Sequence, residues 1–167
     1  MDRLIRALER PPLYVGILGG WLVAPLILGS CYEVFSRYVL GRPTIWAFEA
    51  GTMLTGANFL LGMAYTLRQG AHIRVEALFD RFPLRVQAAI DLLGYAFLAL
   101  PFVCWLTWAL NAHWMRAYAT GEHSGMSAYN MVLWPIRLVF FVSFLLLALQ
   151  MLAEILKRAR VLCGAKA

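Results

Sequence analysis

The sequence is poor in charge. Only 14% of its 167 residues are Asp, Glu, Lys or Arg, whereas soluble domains carry about 25%. Hydrophobic residues make up 62% of the chain. So much hydrocarbon with so little charge excludes an ordinary soluble globule, and the composition indicates an integral membrane protein.

Cysteine is scarce as well. Cys31, Cys104 and Cys163 show no CxxC spacing, which excludes a disulfide framework and gives no metal or redox motif. We interpret all three as packing or tail residues. The sequence also contains no ATPase motif, and we expect no metal site, no cofactor and no enzymatic activity.

Long apolar runs occupy most of the chain. A helix of about 20 apolar residues crosses the hydrocarbon core of a bilayer, where only helices and closed barrels satisfy their own backbone. The runs here are continuous and lack the alternation of barrel strands. The sequence therefore predicts an all-α membrane domain with four transmembrane helices, at approximately residues 13–36, 45–68, 88–114 and 134–157.

The distribution of basic residues predicts the topology. Four spans place both termini on one side, together with the loop between spans two and three. That side holds most of the 15 lysines and arginines, and the other holds only Arg37, Arg42, Arg116 and Arg137. The positive-inside rule then places both termini in the cytoplasm. The net charge of +6 is a membrane signal, and no nucleic-acid partner is implied.

The stretch LRQGAHIRVEALFDRF, residues 67–82, is the most polar part of the middle of the chain. Gly70 is suited to end the second helix as a C-cap. Apolar residues then recur at helical spacing, which predicts a short amphipathic helix over approximately 72–82 on the cytoplasmic membrane surface. His72 is interpreted as a local hydrogen-bonding group in the turn before it. Four arginines would anchor this region at the membrane surface: Arg68, Arg74, Arg81 and Arg85.

Several ionisable residues lie near the ends of the spans. Glu33 and Arg37 are four apart and are expected to pair on one helix face. For Glu49 we expect an ion pair with Arg37 or Arg42, against the alternative of a substrate or ion site. Asp91 is expected to interact with the macrodipole at the start of span three.

Small residues and prolines indicate how the helices pack. Pro25 and Pro101 are expected to bend their helices. The chain has few intramembrane charges, no internal repeat and no paired half-helices, so it lacks the usual marks of a self-sufficient transporter. The sequence predicts a scaffold or accessory subunit. Glycines expected to allow close helix contact are Gly16, Gly19, Gly20, Gly51, Gly56 and Gly62.

The loop after span three, WMRAYATGEHSGMSAYNMVL, is the largest surface on the outer side. Its Glu122 and His123 are candidates for contact with an extracytoplasmic partner. An ordinary solvated loop is the alternative interpretation.

Four segments in order carry a family resemblance: SRYVLGRPTIWAFEAG, GMAYTLRQGAHIRVEALFDRFP, TGEHS and LWPIRLVFF. Together they resemble the small membrane subunit (DctQ-like) of tripartite ATP-independent periplasmic (TRAP) transporters. Many members carry two adjacent acids where this sequence has Phe48 before Glu49, which argues against a cation site built on a carboxylate pair. The family motif falls on Arg37, Tyr38, Trp46, Glu49, Gly70, His72 and Arg74.

The resemblance implies a division of labour in the bacterial inner membrane. A large membrane subunit (DctM-like) would carry the substrate and sodium sites, and a periplasmic solute-binding protein (DctP-like) would deliver an organic acid. This chain would support the moving parts of the large subunit, be held in membrane lipid, and help to dock the binding protein.

Two interpretations as other classes of membrane protein stay open. A haem- or quinone-binding anchor of a redox enzyme is suggested by His72, His113 and His123, although the predicted topology separates His72 from the other two. A stand-alone homodimeric exporter is the second, and the lack of an acid in the middle of any span disfavours it.

Overall fold

The computed structural model describes residues 2–70 and 83–162. In these ranges the chain is helical, and the one β-type feature is an isolated bridge between His123 and Val132. The predicted all-α class is confirmed for this part of the chain. The predicted amphipathic helix at 72–82, with His72, Arg74 and Arg81, lies outside it. The helices are α1 (Asp2–Trp21), α2 (Val23–Tyr38), α3 (Ala47–Arg68), α4 (Leu84–Leu93), a π-helical segment (Gly94–Ala99), α5 (Leu100–Thr120) and α6 (Trp134–Leu162).

Three helical segments are long and apolar enough to cross a membrane. They are Ile5–Tyr38, Val86–Thr120 and Trp134–Arg160. The 22 residues of α3 extend over about 33 Å, which is sufficient length. Glu49, Asn58 and several glycines and threonines lower its hydropathy, and α3 is not among the three.

The helices run back and forth between two ends. At the first, which we call the terminal end, Glu9 of α1 lies beside Arg68 of α3 and Lys157 of α6. At the second, which we call the loop end, the loop 121–133 contacts the start of α3. The connection 39–46 between α2 and α3 lies at this same end.

The core forms around α6, which packs against α1, α3, α4 and α5. By contrast, α2 packs mainly against α3, and most of its apolar side chains are exposed. The molecule therefore has a well-packed body and an incompletely covered apolar flank. The buried core residues are Ala64, Leu67, Val103, Leu146, Leu147, Ala148 and Met151.

Two glycines allow α1 and α3 to approach closely. A Cβ added at Gly16 would lie 2.5 Å from the Cβ of Tyr65, and one at Gly19 would lie 2.8 Å from the Cβ of Leu61. The predicted packing role is confirmed for these two positions. It is wrong for three others, where an added Cβ would meet nothing within 4 Å in the described part of the chain: Gly20, Gly56 and Gly62.

Both predicted proline sites coincide with interruptions of α-helical hydrogen bonding. Pro25 lies just after the break between α1 and α2, and Pro101 is the second residue after the π-helical segment. Proline has no N–H to donate to the preceding turn, so each of these prolines removes one hydrogen bond from the regular ladder. At the first break, Nδ2 of Asn58 donates to the carbonyl of Gly19 at 2.8 Å. A neighbouring helix thus satisfies a backbone group near the break.

Candidate functional site

Glu49 holds the loop end together. It lies in the first turn of α3 and is only 1% exposed. Its Oε1 accepts a hydrogen bond from the Ser124 hydroxyl at 2.5 Å, and its Oε2 accepts one from the backbone N–H of Met131 at 3.0 Å. A carboxylate in the first turn is also favoured by the helix macrodipole. One buried acid therefore fixes the loop 121–133 to the start of α3.

The expected ion pair of Glu49 with Arg37 or Arg42 is wrong. Arg37 instead pairs with Glu33 on its own helix, with its Nε 2.9 Å from Oε1 of the carboxylate. This second pairing was predicted from the four-residue spacing and is confirmed. Glu49 faces away from it, toward the loop after α5, because its two oxygens are already engaged there.

The loop 121–133 has a defined fold of its own. Gly121 ends α5 in the left-handed conformation, with φ of +60°. The N–H of Ser124 donates to the carbonyl of Met131 at 2.9 Å, and the N–H of Leu133 donates to that of Glu122 at 2.9 Å. The two arms of the loop are thus paired, and this pairing presents Ser124 and Met131 to Glu49.

Glu122 and His123, the predicted contact residues, lie on the first arm of this loop. The guanidinium of Arg137 donates to both carboxylate oxygens of Glu122, each at 2.5 Å. Glu122 is still 43% exposed, and His123 is exposed beside it. The sequence analysis did not identify the apolar part of this surface, because these apolar residues form no charge pattern and no motif. We name the loop patch as Glu122, His123, Met126, Tyr129 and Val132, all of them exposed.

The connection between α2 and α3 is fixed by Glu33. Its Oε2 accepts a hydrogen bond from the backbone N–H of Thr44 at 2.9 Å, and a second from the Thr44 hydroxyl. Nearby, the Ser36 hydroxyl donates to the carbonyl of Arg42 at 2.5 Å. Glu33 therefore joins the end of α2 to the residues that lead into α3.

The remaining motif residues do not converge on one site. Tyr38 is 80% exposed at the end of α2, while Trp46 stacks on Tyr32 with ring centroids 6.2 Å apart. A cleft of about 540 Å³ separates α2 from α3 and is lined partly by Glu33, Arg37 and Phe48. Because Glu49 points away from this cleft, its carboxylate is not available there to bind a cation.

Charged side chains join three helices at the terminal end. Glu9 pairs with Lys157, and Lys157 also donates to Glu154 at 2.8 Å. Arg68 lies 4.0 Å from Glu9, so this arginine, predicted to anchor the membrane surface, faces α1. We call Glu9, Arg68, Glu154 and Lys157 the charge cluster. It connects α1, α3 and α6.

Asp91 adds α4 to this end of the molecule. Arg158 of α6 lies 3.2 Å from its carboxylate. The expected macrodipole interaction is wrong, because α4 begins at Leu84 and Asp91 lies beyond the first turn, where the dipole effect fades. Sequence spacing could not reveal the pairs Glu9–Lys157 and Asp91–Arg158, since their partners are on different helices.

A row of buried polar residues on α6 was also missed. Ser143, Gln150 and Glu154 are all buried on one face of the helix. The side-chain amide nitrogen Nε2 of Gln150 donates a hydrogen bond to Oε1 of Glu154 at 3.2 Å. Among the described residues, the hydroxyl of Ser143 and Oε1 of Gln150 have no hydrogen-bond partner.

Gly70 ends α3 as predicted. Its φ is +68°, a conformation that glycine adopts without strain, and its N–H donates to the carbonyl of Leu67 at 3.1 Å. Arg85 lies in the first turn of α4. His72, Arg74 and Arg81 fall outside the described residues, so their predicted roles stay predictions.

Comparison with known protein families gives a match over most of the chain. A family model described as "Tripartite ATP-independent periplasmic transporters, DctQ component" matches residues 26–161, which is most of the chain. This range includes Glu49, the loop patch and most of the charge cluster. No curated protein matches the chain.

Proposed function

Because the chain belongs to the DctQ family of TRAP transporter membrane components, we propose that it is the small subunit that supports a large DctM-like permease subunit. The complex would take up an organic acid, driven by an ion gradient with sodium as the proposed coupling ion. A periplasmic DctP-like protein would deliver the acid. In this proposal the present chain performs no chemical reaction and carries no substrate site.

The observation that carries this proposal is that the acids in the body of the molecule are bound by other residues of the same chain. Glu49 is occupied by Ser124 and Met131, and Glu9 is occupied by Lys157. Glu33 is bound by Arg37 and Thr44. Carboxylates that bind a transported ion must be able to exchange partners, whereas these fix one helix or loop to another. Such an arrangement suits a rigid support.

We further propose four membrane spans in the bacterial inner membrane. Three are the apolar segments already described, and α3 would be the fourth because its length is sufficient and it packs between α1 and α6. The excess of arginine and lysine at the terminal end supports a cytoplasmic location for both termini. The loop patch would then face the periplasm, where it would contact the binding protein.

The predicted amphipathic helix at 72–82 would hold the subunit at the cytoplasmic surface through Arg74, Arg81 and Arg85, with His72 fixing the preceding turn. Replacing the three arginines together by glutamine should reduce uptake or complex assembly, because each basic residue contributes about 1 kcal/mol of attraction to anionic lipid. Uptake in whole cells and the yield of purified complex provide the measurement. If both are unchanged, this anchoring role is wrong.

Affinity purification from the native membrane in mild detergent tests the main proposal. Mass spectrometry should identify a much larger polytopic protein bound to this chain. Recovery of the chain alone, together with uptake by the chain in vesicles, would favour the exporter interpretation. A Soret band or co-purified flavin and iron–sulfur subunits would favour the redox anchor. Either result would contradict the proposed function.

A further inference from the structure

We propose that a pocket at the terminal end binds the phosphate group of an anionic phospholipid. The pocket has a volume of about 220 Å³ and lies between the first half of α1 and the end of α3. Most of it precedes the range matched by the family model, which begins at residue 26. The inference therefore does not depend on the proposed function. The pocket is lined by Arg6, Glu9, Arg10, Leu13, Tyr14 and Arg68.

The pocket has an excess of positive charge. Three arginines, Arg6, Arg10 and Arg68, line the pocket together with a single acid, Glu9, and that acid already pairs with Lys157. The Nε of Arg68 has no hydrogen-bond partner among the described residues and lies 4.0 Å from Glu9. Guanidinium groups bind phosphate oxygens in a bidentate manner, and basic pockets between membrane helices bind lipid head groups.

An exposed apolar strip continues directly from the pocket. Arg6, Arg10 and Tyr14 recur every fourth residue on α1, and Ile17 and Trp21 extend the same face. Tyr14, Ile17 and Trp21 are all exposed apolar residues. Beside the strip is an apolar groove of about 470 Å³, which Ile17 and Trp21 also line. A phospholipid with its head group in the pocket would thus place its acyl chains on this apolar strip.

The length of this strip fits one leaflet of a bilayer. The rise from Arg10 to Trp21 is about 16 Å at 1.5 Å per residue. Half of the hydrocarbon core is roughly 15 Å thick. A free phosphate ion would use only the pocket, whereas a phospholipid would use both the pocket and the strip. This continuity favours the lipid as the source of the phosphate.

Native mass spectrometry of the purified full-length chain, titrated with phosphatidylglycerol, tests the proposal. The wild-type chain should bind phosphatidylglycerol more tightly than phosphatidylethanolamine. The double variant Arg6→Gln, Arg10→Gln should weaken phosphatidylglycerol binding by roughly thirtyfold, since each of the two basic residues contributes about 1 kcal/mol. Arg3→Gln, which removes an exposed charge from the same helix outside the pocket, should have little effect.

Three results would overturn the proposal. A loss of binding in Arg3→Gln as large as that in the double variant would indicate diffuse attraction without a pocket. Equal binding of long-chain and dihexanoyl phosphatidylglycerol to the wild-type chain would show that the strip takes no part. Full displacement of the lipid by millimolar inorganic phosphate would assign the pocket to a free anion. The last two comparisons use the wild-type chain and do not depend on the folding of a variant.

Discussion

At the residue scale, Glu49 combines deep burial with two hydrogen bonds to a single distant loop. If the carboxylate or its partners are removed, the polar groups that remain are buried without a hydrogen-bond partner, which lowers the stability of the folded chain. The sequence shows that Glu49 is an acid near the start of a predicted span, which marks it as a residue that needs a partner. It does not show which partners these are, because Ser124 and Met131 lie two helices later in the chain.

We expect Glu49→Ala to lower the stability of the folded chain by about 1–3 kcal/mol, since it leaves the Ser124 hydroxyl and the Met131 N–H without their acceptor. Thermal unfolding in detergent measures the loss. Glu122→Ala is the matched control, because this acid is 43% exposed and its ion pair with Arg137 should contribute at most about 1 kcal/mol. A larger loss at Glu122 than at Glu49 would contradict the role assigned to burial.

At the scale of helices, most of the fold was predictable. Apolar runs predicted where helices lie, Gly70 marked the end of α3, and the two prolines marked interruptions. The early start of α1 at Asp2 was missed, because its first turns are charged and contain Pro11 and Pro12. Those turns are nevertheless packed, since Ile5 and Pro12 are buried. Contact with other helices there overrides the local sequence preference.

The contact between α1 and α3 yields a prediction with a control on the same helix. Gly16→Ala would place a Cβ 2.5 Å from the Cβ of Tyr65, so the helices must separate, and we expect a loss of about 1–3 kcal/mol. Gly20→Ala meets nothing within 4 Å and should be neutral or stabilising by up to about 1 kcal/mol, because alanine favours a helix. Melting temperatures of both variants in one detergent give the comparison. Equal destabilisation of the two would show that close contact is not the cause.

At the scale of the whole molecule, the charge cluster joins parts of the chain that are far apart in sequence. We expect a double-mutant cycle with Glu9→Gln and Lys157→Gln to give a coupling energy of about 1 kcal/mol or more, because the Glu9 side chain is mostly shielded from water. The cycle for Glu33 and Arg37, an i,i+4 pair with a more exposed arginine, should give only about 0.3–0.5 kcal/mol. Denaturation of all the variants in one detergent supplies the energies. Coupling at Glu9 and Lys157 no greater than in the control pair would show that the cluster does not hold the helices together.

The loop patch yields a prediction about the assembled transporter. The double variant Met126→Ala, Tyr129→Ala should weaken binding of the solute-binding protein by on the order of tenfold, since exposed apolar and aromatic side chains often dominate interfaces. Binding of the large subunit should be unchanged. The control is Val39→Ala, Leu40→Ala, which truncates exposed apolar residues of the other connection at the loop end. Uptake at graded concentrations of binding protein measures the effect, and an equal defect in the control would contradict a specific docking role.

The charge cluster also has a consequence for the order of events during synthesis. Glu9 is made among the first residues, whereas Lys157 and Arg158 lie in the last helix and are made late. The pairs Glu9–Lys157 and Asp91–Arg158 can therefore form only after α6 has been inserted. The contact between α1 and α3 needs no later helix, so the bundle would assemble from its first helices and be closed at the terminal end by its last.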